Sequence, residues 1–505
     1  MRMGGRTGLA AAAGVAVGAI ALGSGELVAA LLNPSASPLL SVGSLVIDLT
    51  PGFLKSAVIA AFGTGDKPFL LTVLVLVVLA GGAVAGVLEQ RRPPLGRLVI
   101  VAAALVAGVA AATRHGASVW DVAPSLVDLA VGVLVLARLS GAPGLAPSGS
   151  GPARRRVLVE AAVFAAAGVV AAAAASAVSA SGRRAVDAMA RVRLPVPRTR
   201  VPPLPARASF DVPGLAPLVT PNAAFYRIDI ALAAPQLDPA QWALEVTGEV
   251  EHPFRLTYAQ LTALPMGESR TTLMCVSNEV GGDLIGTATW LGVPVRTLLA
   301  RAVPRAGADM VLSSGADGFT ASTPLAVLAD PGRNSVLAVG MNGAVLPVLH
   351  GFPVRMVVPG LYGYVSATKW LTKLEVTRFD REAAYWTSRG YSARAPIKLS
   401  SRIDVPRGHA APGVVTVAGV AWAQHTGIAR VQLQIDGGPW RDCELAEEAS
   451  VDIWRQWRFR WTATRGTHVL RVRATDRRGL VQTAKVRAVE PDGATGLHTV
   501  QVTVG

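Results

Sequence analysis

The sequence predicts an N-terminal all-α transmembrane bundle, then an α+β domain, then a C-terminal immunoglobulin-like β-sandwich. Three observations predict it. Residues 7–180 are almost free of charge and rich in Ala, Val, Leu and Gly, whereas residues 183–505 hold most of the Arg, Asp and Trp. Strand patterns then alternate with short helix patterns as far as residue 391. From residue 392 onward only short alternating strands with turn signals follow. The domain boundaries are therefore 1–182 (transmembrane domain, about five helices), 183–221 (Arg/Pro-rich linker), 222–391 (α+β domain) and 392–505 (sandwich).

Composition agrees with this division. Of the 505 residues 51% are hydrophobic and only 16% charged, above the globular norm, as membrane spans require. Five apolar runs, 8–32, 69–88, 97–113, 119–138 and 157–178, are long enough for a bilayer core that needs roughly 20 helical residues. A sixth, 43–63, is interrupted by Asp48, Pro51, Gly52 and Lys55 and reads as re-entrant or interfacial, because such residues are expensive at the bilayer centre. With five spans, Arg2, Arg6, Arg91, Arg92, Arg97, Arg138 and Arg154–Arg156 all fall on one side, which makes that side cytoplasmic. The odd number of crossings then sends the chain after residue 180 outside the cytoplasmic membrane. The triplet Arg154–Arg156 fits both a topology stop and an internal twin-arginine export signal. Anchoring in a lipid bilayer is the expected role of this half. His115 is the single His before residue 252, too few for a transmembrane haem with paired ligands, while Glu26, Asp48, Asp121 and Asp128 mark a candidate proton path.

A net charge of +15 raises the question of nucleic acid, but the Arg residues are dispersed and neither zinc-finger spacing nor an RNP-like aromatic motif is present, so none is expected. Two cysteines, Cys275 and Cys443, cannot make a disulfide framework. Past the linker PVPRTRVPPLP, FYRIDIAL and WALEVTGEV read as strands, and Thr257 with Gln260 forms a capping box for TYAQLTAL. The strand SRTTLMCVS delivers Cys275 to a loop carrying Asn278, Glu279, Gly281 and Gly282. VRTLLARA reads as a helix, MVLSSGADGFTAS as two strands around Asp317-Gly318, and Thr323-Pro324 as an N-cap and first helical residue. Asn342-Gly343 signals a hairpin, and PVRMVVPGLYGY and KWLTKLEVTRF follow as strands. In WRQWRFRW, Trp457, Phe459 and Trp461 share one face and Arg458 and Arg460 the other, and the sandwich shows no chemistry of its own. From its own residues, Cys275 fits a metal ligand, a nucleophile or an inert core thiol.

Seven segments in order, FYR at 225–227, LDPAQWALEVTG, TLMCVSN, ATWLGVPVRTLL, DGFTASTPL, HGFPVRMVVPGLYG and KWL at 369–371, resemble the sulfite-oxidase-type molybdopterin enzymes over residues 218–505. The resemblance implies a sulfite-oxidase-like molybdopterin domain and a C-terminal domain of the family's dimerisation type, hence a homodimer. It makes Cys275 the thiolate ligand of molybdenum and, with Glu279 beside it, the catalytic position. Asn222, Tyr226, Arg227, His350, Arg355, Ser366 and Lys369 match positions that hold the molybdopterin. Three anion-binding features of sulfite oxidases are replaced here, by Val280, Ala383 and Thr426, and Glu279 adds a negative charge, so a small substrate other than sulfite is expected. Asp229 stands where the family usually has His. With no CxxCH and no cytochrome b5-like His pair, no haem is expected in the chain, and electrons must pass through a separate partner or a quinone. The same Cys-ligated core occurs in periplasmic sulfoxide reductases, including those acting on oxidised methionine in proteins, which lack the sandwich. A cofactor-free membrane-anchored scaffold, or a Cys275/His350 hydrolase, are the readings from other classes.

Overall fold

The computed structural model describes residues 2–51, 54, 58, 62, 65–114, 117–142, 145, 151–181 and 184–505; Gly52, Lys55 and His115, named above, lie outside the described residues. The chain divides into two units, one of Met1–Arg183 with Ala231–Pro235, the other of Arg184–Ile230 with Gln236–Gly505.

The first unit is helical. Its helices are α1 (Arg2–Leu32), α2 (Pro38–Leu49), α3 (Asp66–Arg91), α4 (Leu95–Ala112), α5 (Ala123–Ser140) and α6 (Gly151–Ser181). Five helices among the described residues are long and apolar enough to cross a membrane, starting at Arg6, Asp66, Leu95, Val119 and Gly151. The 12-residue α2 carries Asp48 in its last turn and is too short to span. Helix α1 is the hub against which α3, α5 and α6 pack. Its approach to α3 depends on the lack of side chains at the crossing, since a Cβ on Gly14 would lie 2.0 Å from the Gly82 carbonyl oxygen. Leu76, Val77, Leu105, Leu134, Val169 and Val170 point outward, as an apolar solvent requires.

In the second unit, α7 (Arg184–Arg191) starts the stretch expected to be an extended Arg/Pro-rich linker. Beyond it the chain is extended, yet bound throughout. The Arg198 N–H donates to the Met266 carbonyl at 2.7 Å, the Glu268 N–H to Thr199 at 2.9 Å, and the Thr220 N–H to Thr287 at 2.8 Å. Proline removes donors but leaves every carbonyl and the intervening N–H groups free to pair, so a Pro-rich segment can be stitched down as well as hang loose.

The α+β part contains β1 (Ala243–Gly248), β2 (Phe254–Thr257), α8 (Tyr258–Thr262), β3 (Gly267–Met274), β4 (Ile285–Pro294) and α9 (Val295–Ala302). It continues with β5 (Met310–Gly315), β6 (Thr320–Pro324), α10 (Leu325–Ala329), β7 (Val336–Met341), β8 (Ala344–Val345), β9 (Arg355–Val357) and β10 (Leu371–Thr377). One sheet has the order β2-β1-β10-β5-β6, with β1 and β10 parallel. Another has the order β3-β4-β7-β8, with β9 added to β7. Its β3–β4 ladder closes at Met274 opposite Ile285, so Cys275 is the first residue beyond the ladder. The capping box at Thr257 and Gln260 forms, and Asn342 (φ 52°) and Gly343 (φ 77°) make the β7–β8 turn.

Two local expectations are corrected. Among the described residues FYRIDIAL pairs with no strand; Phe225 instead packs on Trp290 and His350 at 5.8 and 5.7 Å between ring centres, so its alternating side chains serve packing and not a ladder. Pro324 is the cap of α10 and not its first residue, because the Thr323 hydroxyl donates to the Val365 carbonyl at 2.5 Å instead of capping.

After residue 392 come β11 (Ser400–Val405), β12 (Gly408–Ala410), β13 (Gly413–Trp422), β14 (Ile428–Ile435), β15 (Arg441–Asp442), β16 (Glu444–Leu445), β17 (Arg455–Ala463), β18 (Gly466–Asp476) and β19 (Thr499–Val504). They form two sheets, β11-β13-β17-β16 and β12-β19-β18-β14-β15. A core that includes Ile403, Val431, Trp457, Trp461 and Val472 lies between them. Trp457 and Trp461 are buried and Arg460 is exposed, as the alternation in β17 requires.

Candidate functional site

The end of β3 is held from several directions. The Cys275 N–H donates to the Leu284 carbonyl at 2.9 Å, and the buried Asn278 closes the loop through its Oδ1, which accepts from the Leu284 N–H at 2.7 Å. Beneath it, Thr272 is gripped by the C-terminal region: its N–H donates to Asp452, its hydroxyl accepts from the Trp454 N–H at 2.9 Å, and its carbonyl accepts from the Gln424 amide. On the loop itself, Arg402 donates to the Gly282 carbonyl at 2.7 Å while pairing with Asp404 at 2.6 Å. The thiol is thus positioned by three separated stretches of chain. Burial pushes the Cys275 thiol up, opposed by the Ser277 and Val276 N–H groups that point at the sulfur. Glu279 is solvent-exposed, and Val280 is half-buried.

One side of this strand end is cationic. Arg355 starts β9 and is buried, with one guanidinium nitrogen donating to the His350 carbonyl at 3.1 Å and the group lying over the Trp290 ring at 4.9 Å. Burial lowers its pKa to about 10. His350 Nε2 donates to the Asn222 carbonyl at 3.0 Å, and burial with the Arg355 charge takes its pKa down to about 4. Asn222 is in turn held by Asn342, whose amide donates to Asn222 Oδ1 at 2.8 Å. Lys369 lies over Trp370 and donates to Asp229 at 2.7 Å; burial lowers its pKa to about 8 against the pull of that carboxylate. Arg227, nearly half exposed, reaches the same Asp229 oxygen at 3.8 Å. Where Lys369 and Arg355 converge the chain needs Gly351, at φ 112°, because a Cβ there would meet the Cβ atoms of both within 3.1 Å.

Tyr226 joins this side to the sulfur. Burial raises its pKa, and its hydroxyl lies near Gly363 and feels both the Cys275 and Arg355 charges. Asn222, Tyr226, Arg227, His350, Arg355 and Lys369 are therefore brought together. The buried Ser366 hydroxyl shares its proton between the Leu361 and Tyr362 carbonyls at 3.0 and 2.9 Å, which leaves it only lone pairs to offer. Among the described residues no cluster of three or more His, Cys, Asp or Glu forms a metal cage.

A second set of side chains near the thiol is phenolic with acidic partners, and was mostly not legible. Tyr362 and Tyr391 both lie within electrostatic reach of Cys275. The Tyr391 hydroxyl donates to Glu490 at 3.0 Å, and Lys398 pairs with Asp492 at 2.6 Å. Tyr362 fell within a quoted motif and offered a signal. Glu490 and Asp492 sit beyond the strand patterns and offered none.

This donor set fits a phosphate-bearing pterin with a soft metal. The Nε of Arg355 is buried without a partner, and a buried guanidinium with an unused N–H suits an anion. The thiol is a soft donor at the edge of that cluster.

Comparisons with known proteins point the same way. A family model described as an oxidoreductase molybdopterin binding domain matches residues 231–386. Mitochondrial sulfite oxidase of Mus musculus is 31% identical over 290 residues, covering 48% of this chain and 53% of that protein. The NADH nitrate reductase of Solanum lycopersicum is 31% identical over 177 residues, covering 30% of this chain and 19% of that protein. The chain thus spans about half the length of the sulfite oxidases it matches first. The crystal structure of the sulfane dehydrogenase SoxCD from Paracoccus pantotrophus shares the fold, with a TM-score of 0.51 and 22% identity over 58% of this chain and 84% of that one.

Proposed function

We propose that this chain, which matches the oxidoreductase molybdopterin binding domain over residues 231–386, is a membrane-anchored, molybdenum-dependent oxidoreductase of the sulfite-oxidase type acting on a small substrate outside the cytoplasmic membrane. The observation that carries the reading is the buried cationic cluster of Arg355, Lys369 and His350, with its unpartnered Arg355 Nε, beside a free thiol at a strand end.

Cys275 is the residue we assign as the metal's thiolate. Arg227, Arg355, Lys369 and His350, with Asn222 and Tyr226, would hold the pterin and its phosphate. Ser366 supports the turn around Tyr362 rather than donating to the group. Asp229 partly neutralises Lys369 and Arg227, leaving Arg355 as the main positive charge. When bound, the molybdenum centre supplies two-electron and oxygen-atom-transfer chemistry. The protein's own part is to hold the sulfur on a rigid ladder, to keep His350 neutral at physiological pH, and to enclose the site with the C-terminal region.

Val280, Ala383 and Thr426 in place of anion-binding groups, and the exposed Glu279, favour a substrate of the sulfoxide type over sulfite. The five apolar helices support the anchor, and the one-sided Arg distribution supports catalytic domains on the outer face. The two-sheet C-terminal region is assigned as the immunoglobulin-like, dimerisation-type domain, and electrons are assigned to a separate partner or a membrane quinone. Metal analysis tests the central point: molybdenum at about one per chain, lost in Cys275→Ala, is expected. A metal-free native protein would overturn the reading and leave a scaffold.

A further inference from the structure

Two turns of the C-terminal region grip Thr272, and one side chain ties those turns together. Gln424, between β13 and β14, donates to the Thr272 carbonyl. The segment before β17 takes the other two positions, the Asp452 carbonyl accepting the Thr272 N–H at 3.0 Å and the Trp454 N–H donating to the Thr272 hydroxyl. His425 joins the two turns: its N–H donates to the Val451 carbonyl at 3.0 Å, and its Nδ1 donates to Asp452 Oδ1 at 3.2 Å. The Asp452 carboxylate is buried, with the His425 and Arg333 charges opposing the effect of that burial on it. At the far nitrogen of the ring, Nε2 lies 4.0 Å from Asp330 Oδ2. Gly360, two residues before Tyr362, packs against the same residue, since a Cβ on it would lie 3.6 Å from the His425 Cβ and 2.9 Å from an Arg333 guanidinium nitrogen. His425 thus meets both the grip on the Cys275 strand and the turn that carries Tyr362. Its own backbone sits at φ 60°, in the left-handed region that disfavours any residue with a Cβ. The backbone alone favours glycine at this position, so the contacts of the ring are what a histidine adds there.

Resting on Cys275 as the metal's thiolate in the proposed function above, we infer that His425 is a positioning residue for that thiol: its ring locks the Gln424 and Asp452 turns to each other, so that Thr272, three residues before Cys275, is held still and the sulfur keeps one direction. A hydrogen bond from an imidazole to a buried carboxylate is strong because little water competes for it. Without the ring, the carboxylate is left buried and short of a partner, and the turn carrying it moves to find one. Thr272 then loses its fixed acceptor, and the end of β3 opens locally while the rest of the sheet stays paired. The C-terminal sheets, which show no chemistry of their own, act on the site through this side chain.

The test reads the sulfur without needing activity. Full-length Cys443→Ser protein, purified in detergent from cells grown without molybdenum, is alkylated with iodoacetamide, a neutral reagent. His425→Gly removes the ring while relieving the left-handed backbone, and Cys275 is expected to be alkylated about two- to tenfold faster, the factor that one net hydrogen bond is worth. Added imidazole, entering the partly exposed space that the ring vacates, is expected to restore the slow rate. In a Cys275→Ser background the same substitution is expected to leave the alkylation of Cys443, which packs on the core of the C-terminal sheets, unchanged. His425→Asn, which also tolerates positive φ but has no ring for Asp452, carries the same expectations where the glycine variant is not recovered. An unchanged Cys275 rate, an acceleration that imidazole does not reverse, or an equal acceleration at Cys443 overturns the inference, the last because it shows general loosening. The metal content of His425-containing protein from molybdenum-grown cells is measured alongside. Absence of metal there would sink the proposed function, whereas the alkylation rates report on His425 alone.

Discussion

His350 is a titratable group held where its charge is disfavoured, with a pKa lowered from 6.5 to about 4 by burial and by Arg355. Between those values the unfolded chain binds more protons than the folded one. The contribution of this group to stability is therefore present above about pH 6.5 and lost as pH falls toward 4. In cofactor-free protein, His350→Gln is expected to flatten that part of the melting temperature–pH curve, by roughly 3 kcal/mol at most. An unchanged curve would show that another group titrates there. Sulfite provides a second residue-scale check. Purified protein with an artificial electron acceptor is expected to show negligible sulfite oxidation, because Val280, Ala383 and Thr426 offer no cation to the anion. Efficient turnover would refute it. Cys275 was visible in the sequence as a thiol at the end of an apolar strand. The bond from Tyr391 to Glu490 was not, because its two ends are 99 residues apart and meet only once the chain has folded.

At the scale of elements, the site depends on turns more than on strands. Gly493 combines φ 100° with contact against Tyr362, so Gly493→Ala is expected to destabilise the protein by roughly 1–3 kcal/mol and to raise KM more than it lowers kcat. Melting and steady-state kinetics on the same variant check both. Thr257→Ala, which removes the capping box of α8 far from Cys275, is expected to cost about 1 kcal/mol with KM unchanged. The capping box, the Asn342-Gly343 turn and the β17 alternation were all legible, since each is a local pattern with a local cause. FYRIDIAL misled for the same reason. Its alternation is that of a strand, but its backbone finds no ladder, and only the positions of Trp290 and His350 explain why Phe225 is buried.

For the whole molecule, the composition break near residue 180 leads to a topology prediction. A reporter fused after Arg184 is expected to be active only if it works outside the cytoplasm, and activity of a cytoplasmic reporter at that position would reverse the orientation. By itself, the sequence determined that the chain has five apolar segments of spanning length, an α+β domain with Cys275 at a strand end, and a C-terminal pair of sheets. These follow from length, hydropathy and period, which are properties of neighbouring residues. Tertiary structure alone decided that the Arg/Pro stretch is stitched to β3, that the Ser366 hydroxyl is spent on the Leu361 and Tyr362 carbonyls while Arg355 is buried with an unused N–H, and that Tyr391 meets Glu490. These depend on which distant backbones and charges meet, and burial, desolvation and partner choice exist only once they have met.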